Sequence, residues 1–296
     1  MDNRMLFKRD MKEKQELVNI ILDRFLPRKD EYPKEIHKAI RYSLFAGGKR
    51  LRPLLCMHAW QLFQANSEPI TYVAAALEMM HTYSLIHDDL PDVDNDEYRR
   101  GKLSCHAMFG EDVALLAGDA LLIGSYELIA WAPLPESVKK EMLLEMGNVC
   151  GANGMIAGQM LDILSEGKKP DKQLLQKIHT LKTAMLINLS LYLGARAANA
   201  PADDLKALEE FGTNIGLAFQ IVDDLLDIEG NQTQLGKTPG KDMAVGKQTF
   251  PAVYGVEKSR QMAQDYKTAA KNALQRFGKQ AIYLDMLADM MVDRNS

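Results

Sequence analysis

Apolar residues recur along this chain at helical spacing. Leu17, Ile20, Ile21 and Phe25 line one face of a helix that stops at Pro27. Ile36, Ile40, Leu44 and Phe45 repeat the stripe up to Gly47-Gly48. From Val73 to Ile86 nearly every position is apolar, which predicts a helix buried all round. Ile178 to Leu193 and Leu205 to Asp227 read as further long helices, the second softened by Gly212 and Gly216. The longest apolar stretch, Val113 to Leu134, is broken by Asp119 and Glu127. It falls short of the roughly 18 uninterrupted apolar residues of a spanning helix, so no membrane span is expected. Breaks fall at Pro33, Asn66 to Pro69, Pro133 to Pro135, Gly167 to Pro170, Ala200-Pro201 and Gly230 to Gly246. None is a long Ser/Gly/Pro linker, so residues 1–296 are expected to form a single all-α domain.

Composition narrows the class. Lys plus Arg is 36 and Asp plus Glu is 40, a net charge of −4 that is too mild for a nucleic-acid-binding protein. Apolar residues make up 47% and charged residues 26%, which excludes a disordered chain. Cys56, Cys105 and Cys150 are odd in number and far apart. They make no disulfide or metal framework and suit a reducing compartment. Met1 to Gln15 is charged and has no apolar core, so a cytoplasmic protein without a signal peptide is expected.

Two acidic clusters carry candidate chemistry. His87-Asp88-Asp89-Leu90-Pro91-Asp92-Val93-Asp94-Asn95-Asp96-Glu97 follows immediately on a buried helix. Asp88 and Asp92 lie four apart, and Pro91 makes an ordinary helix hard to continue, so Asp94 can fold back toward Asp88. In Asp223-Asp224-Leu225-Leu226-Asp227, the pair Asp223 and Asp227 shares a face with Gln220 one turn earlier. Like charges one turn apart destabilise a helix, and its C-terminal end disfavours anions. One such run is ordinarily a solvated helix end; two, each abutting an apolar helix, point to a cation. Oxygen-only ligands favour Mg²⁺, which keeps waters and takes substrate phosphates. An EF-hand register lacks its glycine and its final glutamate.

Basic groups complement the acids. Gly47-Gly48-Lys49-Arg50-Leu51-Arg52-Pro53 allows a tight turn, with Lys49 and Arg52 placed for a diphosphate grip; the P-loop spacing is absent. Arg99-Arg100-Gly101 follows the first acidic cluster. Lys182-Thr183 sits inside an apolar helix, and Lys237, Lys241 and Lys247 lie in a glycine-rich stretch. His81 precedes His87 by six residues and reads on its own as a core histidine.

Taken in order, these segments resemble the trans-type isoprenyl diphosphate synthases. The markers are Gly47 to Pro53, His81 to Gly101, Gly158-Gln159-Met160-Leu161-Asp162, Lys182-Thr183, Phe219 to Asp227, Lys237 and Lys247. The resemblance implies an orthogonal helix bundle around a deep cavity (the isoprenoid synthase fold), a homodimer, and three Mg²⁺ ions at two facing aspartate-rich motifs. It makes Asp88, Asp94, Asp223 and Asp227 metal ligands, with Asp89 and Asp92 in lesser roles. Arg99, Lys182, Lys237 and Lys247 would hold an allylic diphosphate. Lys49, Arg52, His81 and Arg100 would hold isopentenyl diphosphate, and Asp162 would support its neighbours. Thr183 and Gln220 would offer dipoles to a carbocation, and no side-chain general base is required.

Tyr83 and Ser84 lie about one turn before Asp88, where they would floor the prenyl pocket. A bulky Tyr83, a small Ser84 and Asp-Asp-x4-Asp resemble the bacterial farnesyl diphosphate synthases, also called geranyltranstransferases. The expected product is farnesyl diphosphate, from dimethylallyl and then geranyl diphosphate, and Tyr83→Ala is expected to lengthen it. A geranyl or geranylgeranyl product is the alternative. A terpene cyclase would not need Lys49 and Arg52. An HD-type phosphohydrolase, suggested by His81 and His87-Asp88, would need His-rich ligation. A catalytically idle partner subunit is hard to reconcile with two intact acidic motifs.

Overall fold

The protein is described here by a computed structural model covering residues 2–169, 171–229 and 246–293. Among these the regular structure is helical, apart from one two-stranded ribbon. The described residues gather into two compact units. One draws on residues 2–54 and 68–135, and the other on residues 55–67, 136–169, 171–229 and 246–293.

In the first unit, α1 (Asn3–Phe25) starts at Asp2, whose side chain accepts from the Arg4 N–H and caps the helix. α2 (Lys34–Leu44) buries Ala39, Ile40 and Leu44. α3 (Leu51–Gln61) begins here and continues in the second unit. α4 (Glu68–Asp88) is apolar on every side and buries Val73 to Met80 in an unbroken row. It ends at the first acidic segment. β1 (Tyr98–Arg99) and β2 (Lys102–Leu103) form a hairpin turned by Arg100 and Gly101, both at positive φ as a tight primed turn requires.

After α5 (Cys105–Phe109), α6 (Glu111–Trp131) packs along α4, burying Ala114, Ala117, Leu121, Leu128 and Ile129. Among the described residues α6 is the one helix long and apolar enough to cross a membrane. That differs from the sequence expectation for Val113 to Leu134. The explanation is burial: about half of α6 belongs to the core against α4, where each fully buried Leu or Ile contributes roughly 2 kcal/mol.

The second unit contains α7 (Glu136–Cys150), α8 (Met155–Ser165), α9 (Lys172–His179), α10 (Met185–Ala197) and α11 (Ala202–Glu229). α12 (Phe250–Tyr254), α13 (Val256–Ala273) and α14 (Ile282–Val292) follow. Asp171 caps α9 by accepting from the Gln173 and Leu174 N–H groups. α13 lies along α11, whose inner face buries Phe211, Ile215, Ala218 and Ile221.

The apolar pattern from Ile178 to Leu193 predicts one helix; the structure inserts a π-helical turn, Thr180–Ala184, between α9 and α10. Wider turns of this kind recur where a helix must re-aim side chains. Two glycines hold it. A Cβ on Gly158 of α8 would lie 2.5 Å from the Lys182 backbone nitrogen, and one on Gly216 of α11 would lie 2.8 Å from Ala184. Gly158→Ala should therefore push the backbone of the π-turn, because no flexible side-chain tip is available to give way. Chemical denaturation is expected to show a loss of about 1–3 kcal/mol; an unchanged midpoint would mean that α8 is not packed against the turn.

Candidate active site

The first acidic segment is shaped by the end of α4. Pro91 has no N–H to continue the helix, and the chain curls back. The Asp94 N–H donates to the Asp88 carbonyl at 2.8 Å and the Asp96 N–H to the Asp89 carbonyl at 3.1 Å. Asn95 takes the left-handed conformation that this reversal needs. Asp88 and Asp94, six residues apart, thus share one loop, and both are half-exposed. Asp92 is exposed. Asp89 is buried and points inward, where Arg99 Nε donates to it at 2.9 Å; Arg99 also reaches Asp96 at 3.2 Å. Burial pushes the Asp89 carboxyl up to about 6, against the pull of that guanidinium.

Behind this loop lies a basic cluster in the same unit. Arg50, at positive φ, is buried and donates to Glu78 and to the Leu44 carbonyl, both at 2.7 Å. Arg100 lies 3.7 Å from the same Glu78 and donates to the Gly47 carbonyl. Gly48 permits this, since a Cβ there would sit 2.6 Å from the Arg100 guanidinium carbon. Burial, and then the positive charges of Arg52, Arg100, Arg99 and Arg50, hold His81 well below the usual imidazole range, so it is neutral near pH 7. Lys49 is exposed and Arg52 half-buried. Glu78, 1% exposed, stands within the apolar run Val73 to Ile86, whose pattern alone assigns it no role.

On α4, His81, Ser84 and Asp88 step by three and four residues and share a stripe that is half-exposed. Tyr83 lies off that stripe. Its ring meets the His87 ring edge-on at 5.1 Å, and His87 Nε2 pairs with the Leu115 carbonyl of α6 at 3.0 Å.

In the second unit the π-turn places two residues. Lys182 Nζ donates to Asp162 Oδ2 at 2.7 Å, and Thr183 Oγ1 donates to Gln220 Oε1 at 2.8 Å. On α11, Asp223 is half-exposed while Asp224 and Asp227 are buried. His179, stacked on Phe250 at 5.3 Å, is held down to about 4 by burial. Lys247 is half-exposed. It sits beside Gln248, whose side chain bonds the Lys168 carbonyl at 3.1 Å and the Asp171 N–H at 3.0 Å. Lys237, Lys241 and the last three residues lie outside the described residues.

The donor set suits Mg²⁺. Among the described residues no group of three acid, imidazole or thiolate ligands stands close enough to form a cage. Two half-exposed carboxylates on one loop are instead what an ion needs that fills its remaining positions with water and phosphate oxygens. Asp88 and Asp94 fit that description, and Asp223 has the matching exposure in its own unit.

Residues 33–286 match the polyprenyl synthetase family. The chain is 42% identical to a geranylgeranyl diphosphate synthase of Cyanophora paradoxa, over 96% of this chain and 95% of that one. It superimposes on an FPP/GFPP synthase from Zymomonas mobilis with a TM-score of 0.86 and 32% identity, covering 97% of this chain and 99% of the other. A Helicobacter pylori geranyltransferase complexed with magnesium and isoprenyl diphosphate gives a TM-score of 0.86 at 30% identity, covering 99% and 97%. The all-α architecture is that of the isoprenoid synthases, and the chain belongs to the polyprenyl synthetase family of trans-isoprenyl diphosphate synthases. It is a prenyltransferase.

Glu78 counterbalances two arginines of the basic cluster. Glu78→Gln keeps the shape and removes the charge, leaving Arg50 buried without a counter-ion. A loss of about 3 kcal/mol is expected in urea denaturation; a loss below about 1 kcal/mol would show that the pair is solvated.

Proposed function

We propose that this protein joins an allylic diphosphate to isopentenyl diphosphate and releases geranylgeranyl diphosphate. The observation that carries the chemistry is the reversal that brings Asp94 back to Asp88. It concentrates half-exposed carboxylates at the end of an apolar helix, beside arginines. Bound Mg²⁺, in three ions held by Asp88, Asp94, Asp223 and Asp227, would neutralise charge on a departing diphosphate.

Arg99, Lys182, Lys237 and Lys247 hold the allylic diphosphate, and Lys49, Arg52, Arg100 and neutral His81 hold isopentenyl diphosphate. The allylic C–O bond breaks and its electron pair leaves with the diphosphate. The isopentenyl alkene then forms the new C–C bond to the allylic carbon. The resulting tertiary cation loses a proton to the released diphosphate and becomes an alkene. Thr183 and Gln220 present oxygen dipoles to the first cation. The family match runs through both units as one stretch, which supports reading the chain as one synthase domain. Leu115, Leu116 and Ile123 expose apolar surface on α6, which supports a homodimer. Three buried free cysteines support a reducing, cytosolic setting.

Two observations support the C20 product: the relative from Cyanophora paradoxa, and the small Ser84 on the stripe of Asp88 while the Tyr83 ring packs toward α6. The second reading is farnesyl diphosphate. It is favoured by the bulk of Tyr83 and by the neighbour that is an FPP/GFPP synthase.

Chromatography of the product from dimethylallyl and isopentenyl diphosphates with Mg²⁺ decides between them. C20 is expected; C15 would favour the second reading, and no consumption of isopentenyl diphosphate would overturn both. Ser84→Phe is expected to shorten the product by at least one isoprene unit. Tyr83→Ala should shift the product less; a larger shift would assign the floor to Tyr83.

A further inference from the structure

Asp224 stands in the second acidic segment between residues proposed as metal ligands, yet it is 3% exposed. Both of its oxygens are engaged inside the protein. Gln220 Nε2 donates to Oδ1 at 2.9 Å, and the Phe250 N–H donates to Oδ2 at 2.9 Å. His179 Nε2 stays 3.6 Å from Oδ2, beyond hydrogen-bond reach. Asp223, next in sequence, is half-exposed.

We infer that Asp224 is a positioning residue: through Gln220 it sets the direction of the Thr183 hydroxyl proton and so the polarity of the groups that face the carbocation. The inference rests on the prenyl transfer proposed above. Asp224 Oδ1 accepts from Gln220 Nε2, so the Gln220 amide turns its NH₂ toward Asp224. The Gln220 carbonyl then meets Thr183 Oγ1 at 2.8 Å. A carbonyl also only accepts, so the Thr183 hydroxyl donates.

With its proton committed to Gln220, the Thr183 oxygen has only lone pairs left to offer. That is the polarity a developing cation needs. A proton aimed the other way would repel the cation. The Phe250 N–H keeps the carboxylate from rotating. It also ties this chain of bonds to the segment carrying Lys247, which Gln248 pins from its other side.

Three variants of the full-length enzyme test this, assayed with dimethylallyl and isopentenyl diphosphates and Mg²⁺. Asp224→Asn can keep its oxygen on the Phe250 N–H and turn its NH₂ to Gln220, which must then flip and offer its own NH₂ to Thr183. The expected result is a kcat roughly 100-fold lower. Both KM values and the half-saturating Mg²⁺ concentration should stay within about threefold. Gln220→Glu alone sets two carboxylates face to face and should also be slow.

The double variant Asp224→Asn with Gln220→Glu restores the direction. Its new carboxylate, in place of Gln220, would accept both from the new amide, in place of Asp224, and from the Thr183 hydroxyl. Its kcat should exceed that of Asp224→Asn by roughly tenfold or more, a strong departure from additivity. The inference is overturned if Asp224→Asn needs much more Mg²⁺, as Asp223→Asn should, since Asp224 is then a metal ligand. It is equally overturned if Asp224→Asn keeps near-normal kcat, if it unfolds in a thermal melt, or if the double variant is no faster. A wild-type enzyme that leaves isopentenyl diphosphate unconsumed would instead sink the functional reading itself.

Discussion

A carboxylate taken out of water must find a donor, and that constraint organises both acidic segments. Each has an aspartate that turns inward and is satisfied by the protein: Asp89 by Arg99, and Asp224 by Gln220 and the Phe250 N–H. In each, a neighbour remains half-exposed: Asp88 in one and Asp223 in the other. The inward residue anchors the segment to its surroundings, while the outward ones carry charge that a helix C-terminus disfavours. The half-exposed Asp88, Asp94 and Asp223 are the carboxylates that a cation can reach from solvent. Counting aspartates in a motif does not reveal this division of labour; burial and partners do.

The same logic runs through the cations. Arg50 stands between Lys49 and Arg52 in sequence, but it is buried, and from a left-handed backbone it turns into the core against Glu78. Arg100 leans on the same carboxylate from the other side of a glycine turn. Lys182 is held by Asp162, and the π-turn that aims it is possible only because Gly158 and Gly216 let two helices approach its backbone closely. Under the proposed prenyl transfer, charge placed rigidly before substrate arrives would leave little reorganisation to make as charge develops on the leaving group.

Much of this was legible in the chain. The apolar pattern marked α1, α2, α4, α10 and α11, because the spacing of apolar residues reports directly on burial. Pro91 announced that the first acidic run could not continue as a helix, and the backbone does reverse there. Other features were hidden for physical reasons. The π-turn left no trace in the pattern from Ile178 to Leu193, since one extra residue per turn barely disturbs a mostly apolar run. Glu78 carries no local signal because its partners, Arg50 and Arg100, lie far away in sequence. Tyr83 and Ser84 are adjacent in sequence, but successive residues point about 100° apart around a helix, so one lies toward α6 and the other on the stripe of Asp88. Distance along the chain gave the turn correctly and was silent about the side.

The central claim is that Asp88 and its loop recognise a diphosphate only as its magnesium complex. Calorimetric titration of the full chain with inorganic pyrophosphate, in Mg²⁺ and in excess chelator, measures it directly. Binding should appear only with Mg²⁺ and weaken at least roughly tenfold in Asp88→Asn. Equal affinity in chelator, or an Asp88→Asn protein that binds as the wild type does, would contradict the account.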